Sequence, residues 1–177
     1  PGSGLGPARG GNGGRPGPLA RPSPDDSLLA PPAGLPWKAE TILWQVEGER
    51  TAHHLRGEAW MTEVRELDLR YGIDLTPGSA PGLFPDQREN RTWLRTLRPP
   101  SLLNLFAHTC AFGVLAASAG GVTLNIDTSA RALERGRDNF RRNRLDDKNH
   151  RFWKEDVRKA LPRLLRRRET FATIILD

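Results

Sequence analysis

From residue 91 onward, short apolar runs alternate with helix-length stretches. Leu102–Ala107, Val122–Ile126, Arg151–Trp153 and Phe171–Leu176 read as four strands, each a continuous apolar run bounded by polar residues. Phe112–Ala119 is apolar and built of small residues, and Gly120-Gly121 ends it as a helix. Thr128 or Ser129 caps the next helix, along which Leu133, Gly136 and Phe140 recur at helical spacing. A further helix gathers Val157, Ala160, Leu161, Leu164 and Leu165 on one face, with Pro162 either starting or kinking it. Thr92–Leu97 is a short helix that Pro99-Pro100 stops. The order β-α-β-α-β-α-β predicts an α/β fold, a Rossmann-like half sheet of four parallel strands with flanking helices. Right-handed crossovers then bring all the strand C-termini to one edge, where ligands bind.

Upstream the pattern is weaker. Thr41–Val46 reads as a strand, with Glu47–Arg50 as its turn. Leu67–Leu75 alternates partly, as a strand or a hairpin, and Thr76-Pro77-Gly78 forces a turn after it. Residues 37–90 therefore form a small β-rich lead-in, and 91–177 the sheet domain. Residues 1–36 hold nine of the chain's 18 glycines and nine of its 15 prolines. Such a segment cannot bury enough apolar surface to offset ordering entropy and is expected to be disordered. The chain starts at Pro1 and stops at Asp177, at the end of an apolar run. It reads as a fragment cut short at both ends, inactive by itself.

Composition narrows the class. No apolar run approaches the ~18 residues of a membrane span, and one cysteine excludes an internal disulfide framework and a Cys-rich zinc site. A cytoplasmic location fits; an organelle stroma or matrix is the alternative, if residues 1–36 are the remnant of a transit peptide. The net charge of +6 is local. Residues 131–168 carry 15 basic and 6 acidic side chains, a net of +9, and the rest of the chain a net of −3. That segment is either a surface for RNA phosphates or a solvated helix face in an Arg-rich sequence.

Asp127 closes the second strand, where a carboxylate can accept hydrogen bonds from both ribose hydroxyls or simply cap a helix. Asp156, after the third strand, can accept from an adenine amino group or cap the helix that follows. The loop His108-Thr109-Cys110-Ala111-Phe112-Gly113 lacks the G-x-G-x-x-G that a dinucleotide pyrophosphate requires. This argues against an NAD(P) oxidoreductase and suits a phosphate-free ligand such as S-adenosylmethionine. His108 is a ligand contact or a polar loop residue, and Cys110 a small packing residue rather than a nucleophile. Gly82–Arg91 is dense in polar groups, as a loop over a ligand or a capped helix start.

These residues carry a resemblance. Asp74–Gly78, Gly82–Arg88 with Arg91, Leu103–Thr109, Ile126–Ser129, Glu155–Val157 and Ile174–Asp177 occur in this order. The stretch from about 70 to 177 resembles the class I S-adenosylmethionine-dependent methyltransferases related to the bacterial large-subunit ribosomal RNA 5-methylcytosine enzymes. The resemblance implies S-adenosylmethionine bound at the C-terminal edge of a seven-stranded sheet. Asp127, with Thr128 and Ser129, would then hold the ribose, and Asp156 with Val157 the adenine. Asn104 and the stretch from Phe106 to Phe112, with His108, Thr109 and Cys110, would wrap the methionine part. Asp86, Gln87 and Arg88 would cover the cofactor, and Asp177 would lie near the transferring methyl as the catalytic position. RNA, most simply ribosomal RNA meeting the basic 131–168 segment, would be the substrate, with no membrane partner.

The sequence departs from that family at His108, usually tyrosine, and at Cys110 and Ala111, usually glycines, which adds bulk beside the cofactor. The family's last three strands and its RNA-binding N-terminal PUA domain are not visible. A non-enzymatic nucleic-acid-binding module is the remaining alternative.

Overall fold

The computed structural model describes residues 42–44, 53–56, 60–76, 78–145 and 147–177. Strands β1 (Ile42–Trp44) and β2 (His53–Arg56) pair antiparallel. The expected strand over Thr41–Val46 is thus seen at its centre; its turn and the Gly/Pro-rich segment 1–36 lie outside the described residues.

Strands β3 (Met61–Glu66) and β4 (Leu69–Asp74) form a hairpin in which Glu66 pairs with Leu69. Only Leu67 and Asp68 connect them, both at positive φ (52° and 69°), the geometry a two-residue turn needs to match strand twist. Of the two readings of Leu67–Leu75, the single strand holds: the stretch contains the turn and β4, and its partner β3 lies upstream, where no strand was expected.

The sheet proper contains β5 (Ser101–Leu105), β6 (Val122–Asp127), β7 (Arg151–Lys154) and β8 (Thr173–Leu176), all parallel, in the order β7-β6-β5-β8. Helices α1 (Arg88–Leu97), α2 (Ala111–Ser118), α3 (Ala130–Arg142) and α4 (Val157–Arg166) flank it. After β5 the chain turns to β6 on one side, and β8 later takes the other side. The C-terminal ends of β5 and β8 therefore flank a switch point, where open α/β sheets form their ligand crevice.

Side chains alternate across the strands. Leu103, Leu105, Leu124 and Ile126 face α4 and meet its Val157, Ala160 and Leu164. The opposite face packs Leu102 against Leu94 of α1 and against Phe112, Leu115 and Ala116 of α2. Helix α2 is buried from Phe112 to Ala117, which its small, apolar composition allows. Helix α3 packs Leu133 and Phe140 against Tyr71 and Ile73 of the hairpin, so the hairpin shares a core with the sheet. Two amides latch it there. Asn139 accepts the Gly72 N–H at 2.9 Å, and Asn143 accepts the N–H of Arg70 at 2.8 Å and donates to its carbonyl at 2.7 Å. Helix α4 runs through Pro162, so the proline does not start it.

Candidate functional site

The loop leaving β5 makes an abrupt path. Phe106, His108 and Cys110 all lie in the left-handed region, with φ of 52°, 45° and 60°. Each such residue costs about 1–2 kcal/mol when it is not glycine, so the surroundings must hold the loop in place. Asp127 does this from the end of β6: Oδ2 accepts the His108 N–H at 2.8 Å and Oδ1 accepts that of Ser129 at 2.8 Å. The Thr109 hydroxyl donates to the Gly82 carbonyl, and Asn139 donates to the Thr109 carbonyl at 3.0 Å. Gly82 is itself at φ 113°, and a Cβ there would press on the Arg135 guanidinium.

Under this loop lies a small cleft that opens to solvent. Its walls include Gln87, Asn104, Phe106, His108, Thr109, Phe112 and Asp177, each nominated from sequence. Gln87 spans the switch point, donating to Asp177 Oδ1 at 3.0 Å and accepting from Asn90 at 2.7 Å. The structure does not bring the other nominated residues to this wall. Asp86 and Arg88 are exposed beside it. Asp127, Thr128 and Ser129 follow the C-terminal edge of β6, and Ser129 uses its hydroxyl to cap α3 through the Ala132 N–H. Asp156 caps α4 through the Arg158 N–H. The Arg158 guanidinium also binds both its oxygens, holding the Asp156 pKa down to about 2. Val157 is buried in the core under β5 and β6.

Cys110 corrects an expectation. Its side chain is fully buried and packs toward α3, where a Cβ on Gly136 would come within 2.5 Å of Sγ. The extra bulk at this family glycine position therefore fills a gap left by Gly136 and does not enter the cleft. Burial drives the Cys110 thiol pKa far up, with the Asp127 charge adding to it, so the thiol is inert. Ala111 does line the cleft.

His108 stands between the cleft and a second depression lined by Ser129, Arg131 and Arg135. Its ring lies 5.2 Å from that of Phe84, and its Nδ1 is buried without a hydrogen-bond partner. Burial, then the Arg135 charge, lowers the His108 pKa; Asp127 opposes them without prevailing. The imidazole is therefore neutral at neutral pH.

Sequence reading gave no role to Arg91, which is 1% exposed and lines the cleft. Its Nε and Nη2 bind the two Glu66 oxygens at 2.6 and 2.9 Å, and Nη2 also donates to the Phe84 carbonyl at 2.9 Å. It ties the end of β3 to the loop over the cleft. The signal was an arginine one turn before Leu94, on the buried face of α1.

The basic segment is largely engaged. Arg131 and Arg135 flank the buried Asp74, Arg142 binds Glu63, Arg151 binds Glu169 and Arg163 binds Glu155. Arg141 binds Glu134 and Asp138. Three guanidiniums, those of Arg151, Arg163 and Arg167, lie over the Trp153 ring at 5.5, 4.1 and 5.8 Å. Among the described residues no helix is long and apolar enough to cross a membrane.

Comparison with known proteins places this geometry. The profile of the family described as S-adenosylmethionine-dependent methyltransferase matches residues 41–177. The chain belongs to that family. Among its relatives, the ribosomal RNA large subunit methyltransferase I of Shewanella denitrificans is 37% identical over 116 residues, covering 64% of this chain and 29% of the relative. A solved structure, SMU.776 complexed with S-adenosylhomocysteine, is 31% identical with a TM-score of 0.65, over 71% of this chain and 34% of that one. The S-adenosylmethionine-dependent methyltransferase of Agrobacterium tumefaciens is 25% identical with a TM-score of 0.69, over 77% of this chain and 45% of that one. This methyltransferase-family chain thus spans less than a third of the length of the curated relative.

Proposed function

We propose that this chain carries the S-adenosylmethionine-binding part of a methyltransferase whose acceptor is RNA, ribosomal RNA in the first instance. The observation that carries the reading is the convergence of Asn104, Phe106, His108, Phe112, Gln87 and Asp177 on one cleft at the switch point. The donor set fits the cofactor. The loop offers carboxylate and carbonyl acceptors and aromatic faces, suited to a cationic, hydroxyl-bearing ligand, and the one cleft arginine is neutralised by Glu66. Bound, S-adenosylmethionine supplies an electrophilic methyl on a sulfonium, which becomes a thioether when the methyl leaves.

The chain's residues position. Asp127 accepts the ribose hydroxyls with the lone pairs left over from His108 and Ser129. Asp156 accepts the adenine amino group once the exposed Arg158 swings aside. Phe106 and Phe112 pack against the methionine part, and Gln87 holds Asp177 at the mouth where the acceptor approaches. Orientation of donor and acceptor is the main catalytic contribution in such a displacement. The basic residues of 131–168 that lack acidic partners meet RNA phosphates.

The test is calorimetric titration of S-adenosylhomocysteine into the full-length protein that contains this chain. Asp127→Ala removes a charged acceptor, worth roughly 1.5–3 kcal/mol, and is expected to weaken binding about tenfold or more. Unchanged affinity, or NADH binding in its place, would overturn the reading. Transfer of labelled methyl to ribosomal RNA by the same full-length protein tests the substrate.

A further inference from the structure

The buried face of the sheet toward α2 is not apolar throughout. Asn104 and Asn125 lie opposite each other on β5 and β6, 2% and 0% exposed, with Thr123 two residues before Asn125. Asn104 Nδ2 donates to Asn125 Oδ1 at 3.0 Å. Asn125 Nδ2 donates to Thr123 Oγ1 at 3.0 Å and to the Arg151 carbonyl at 3.4 Å. Thr123 Oγ1 lies 3.2 Å from His150 Nδ1.

The direction of this ladder is fixed from one end. A backbone carbonyl only accepts, so the Arg151 carbonyl requires the Asn125 amide nitrogen on its side. Asn125 then turns its oxygen toward Asn104. Helix α2 permits this because position 113 is glycine; a Cβ there would meet Asn125 Oδ1 at 2.2 Å. Asn104 must answer with its nitrogen. Its Oδ1 meets no donor among the described residues, and Asn104 lines the cleft.

We propose that Asn125, supported by Thr123, is a positioning residue for the cleft: it locks the Asn104 amide so that Oδ1 is available to accept a hydrogen bond from the ligand's α-ammonium group. This rests on the S-adenosylmethionine reading. A carbonyl oxygen in a nearly dry wall favours a cationic donor, because charge-assisted hydrogen bonds are the stronger ones. Of the cofactor's donors, the ribose hydroxyls fall to Asp127 and the adenine amino group to Asp156, both along the outer edge of β6 and β7. The ammonium remains for Asn104. An asparagine free to flip would present N–H to the same cation half the time and lose the preference.

The experiment compares S-adenosylhomocysteine with its analogue lacking the α-amino group, by calorimetry on the full-length protein. The unaltered protein is expected to prefer S-adenosylhomocysteine about tenfold, the scale of one hydrogen bond to a charged group. In Asn125→Leu this ratio is expected to fall toward one, while the amino-less analogue binds as before; Thr123→Ser retains the ratio. The ratio cancels general loss of stability. If Asn125→Leu does not fold, Thr123→Val is read in the same way, with a reduced ratio expected. Equal binding of the two ligands by the unaltered protein overturns the proposal alone. A full ratio in the Leu or Val variant overturns the positioning role. Failure of S-adenosylhomocysteine to bind at all overturns the cofactor reading beneath it.

Discussion

Cys110 and Gly136 are a matched pair, and their coupling is measurable. Gly136→Ala puts a methyl 2.5 Å from Cys110 Sγ. Overpacking of this kind costs typically 1–3 kcal/mol, and we expect a loss of that size in urea unfolding. The same substitution in a Cys110→Gly background should cost far less, and a double-mutant cycle reads the difference. His108 gives a pH signature. Its folded pKa is depressed, so the unfolded chain binds the proton more readily, and stability rises with pH. The contribution is whole above the unfolded value of about 6.5 and is lost as pH falls through the lower folded value. Thermal unfolding between pH 7.5 and 5 should therefore decline less steeply in His108→Gln than in the unaltered protein. At this scale the sequence was legible where chemistry is carried by type, as with the edge carboxylates. It was opaque where backbone conformation contradicts type: Leu67, Asp68, Phe106, His108 and Cys110 adopt φ values normally marked by glycine.

Between elements, one ion pair does most to join the hairpin to the cleft. Arg91 of α1 and Glu66 of β3 bind with side chains 1% and 10% exposed. Removing one partner of a buried pair leaves the other charge uncompensated, at about 3–5 kcal/mol. Glu66→Gln is expected to lose that much in equilibrium unfolding. Arg91→Met combined with Glu66→Leu should recover most of it, since the apolar pair needs no partner. The parallel strands and helices were legible because hydrophobic period survives burial, and their ends agree to within a few residues. Strand β3 was missed because Met61–Glu66 holds only two apolar residues, the exposed Met61 and the partly buried Val64, among polar and charged ones. Its pairing follows from the turn, and no glycine announced the turn.

Across the whole molecule, charge must be weighed with its partners. Arg166 and Arg168 have no acidic partner among the described residues, whereas Arg141 is held by Glu134 and Asp138. If RNA meets this face, replacing Arg166 and Arg168 with Gln should flatten the salt dependence of binding by about 1–2 in log–log slope, and replacing Arg141 should change it little. Helix α4 runs back from the cleft edge, so its ten residues carry these arginines roughly 15 Å away. An RNA reaching both covers that distance. The site was legible as a list of residues and not as an enclosure, because the cleft walls come from Gly82–Phe84, Gln87–Arg91, the β5 loop and Asp177. Hydrogen bonds from Arg91, Thr109 and Gln87, and the Phe84–His108 ring contact, join those stretches. An occupant of the cleft touches all four, so it acts as a clasp on chain segments up to 95 positions apart. Ligand at a hundredfold excess over Kd should then add about 2.7 kcal/mol of stability, and the hairpin and the sheet should melt together at a higher temperature.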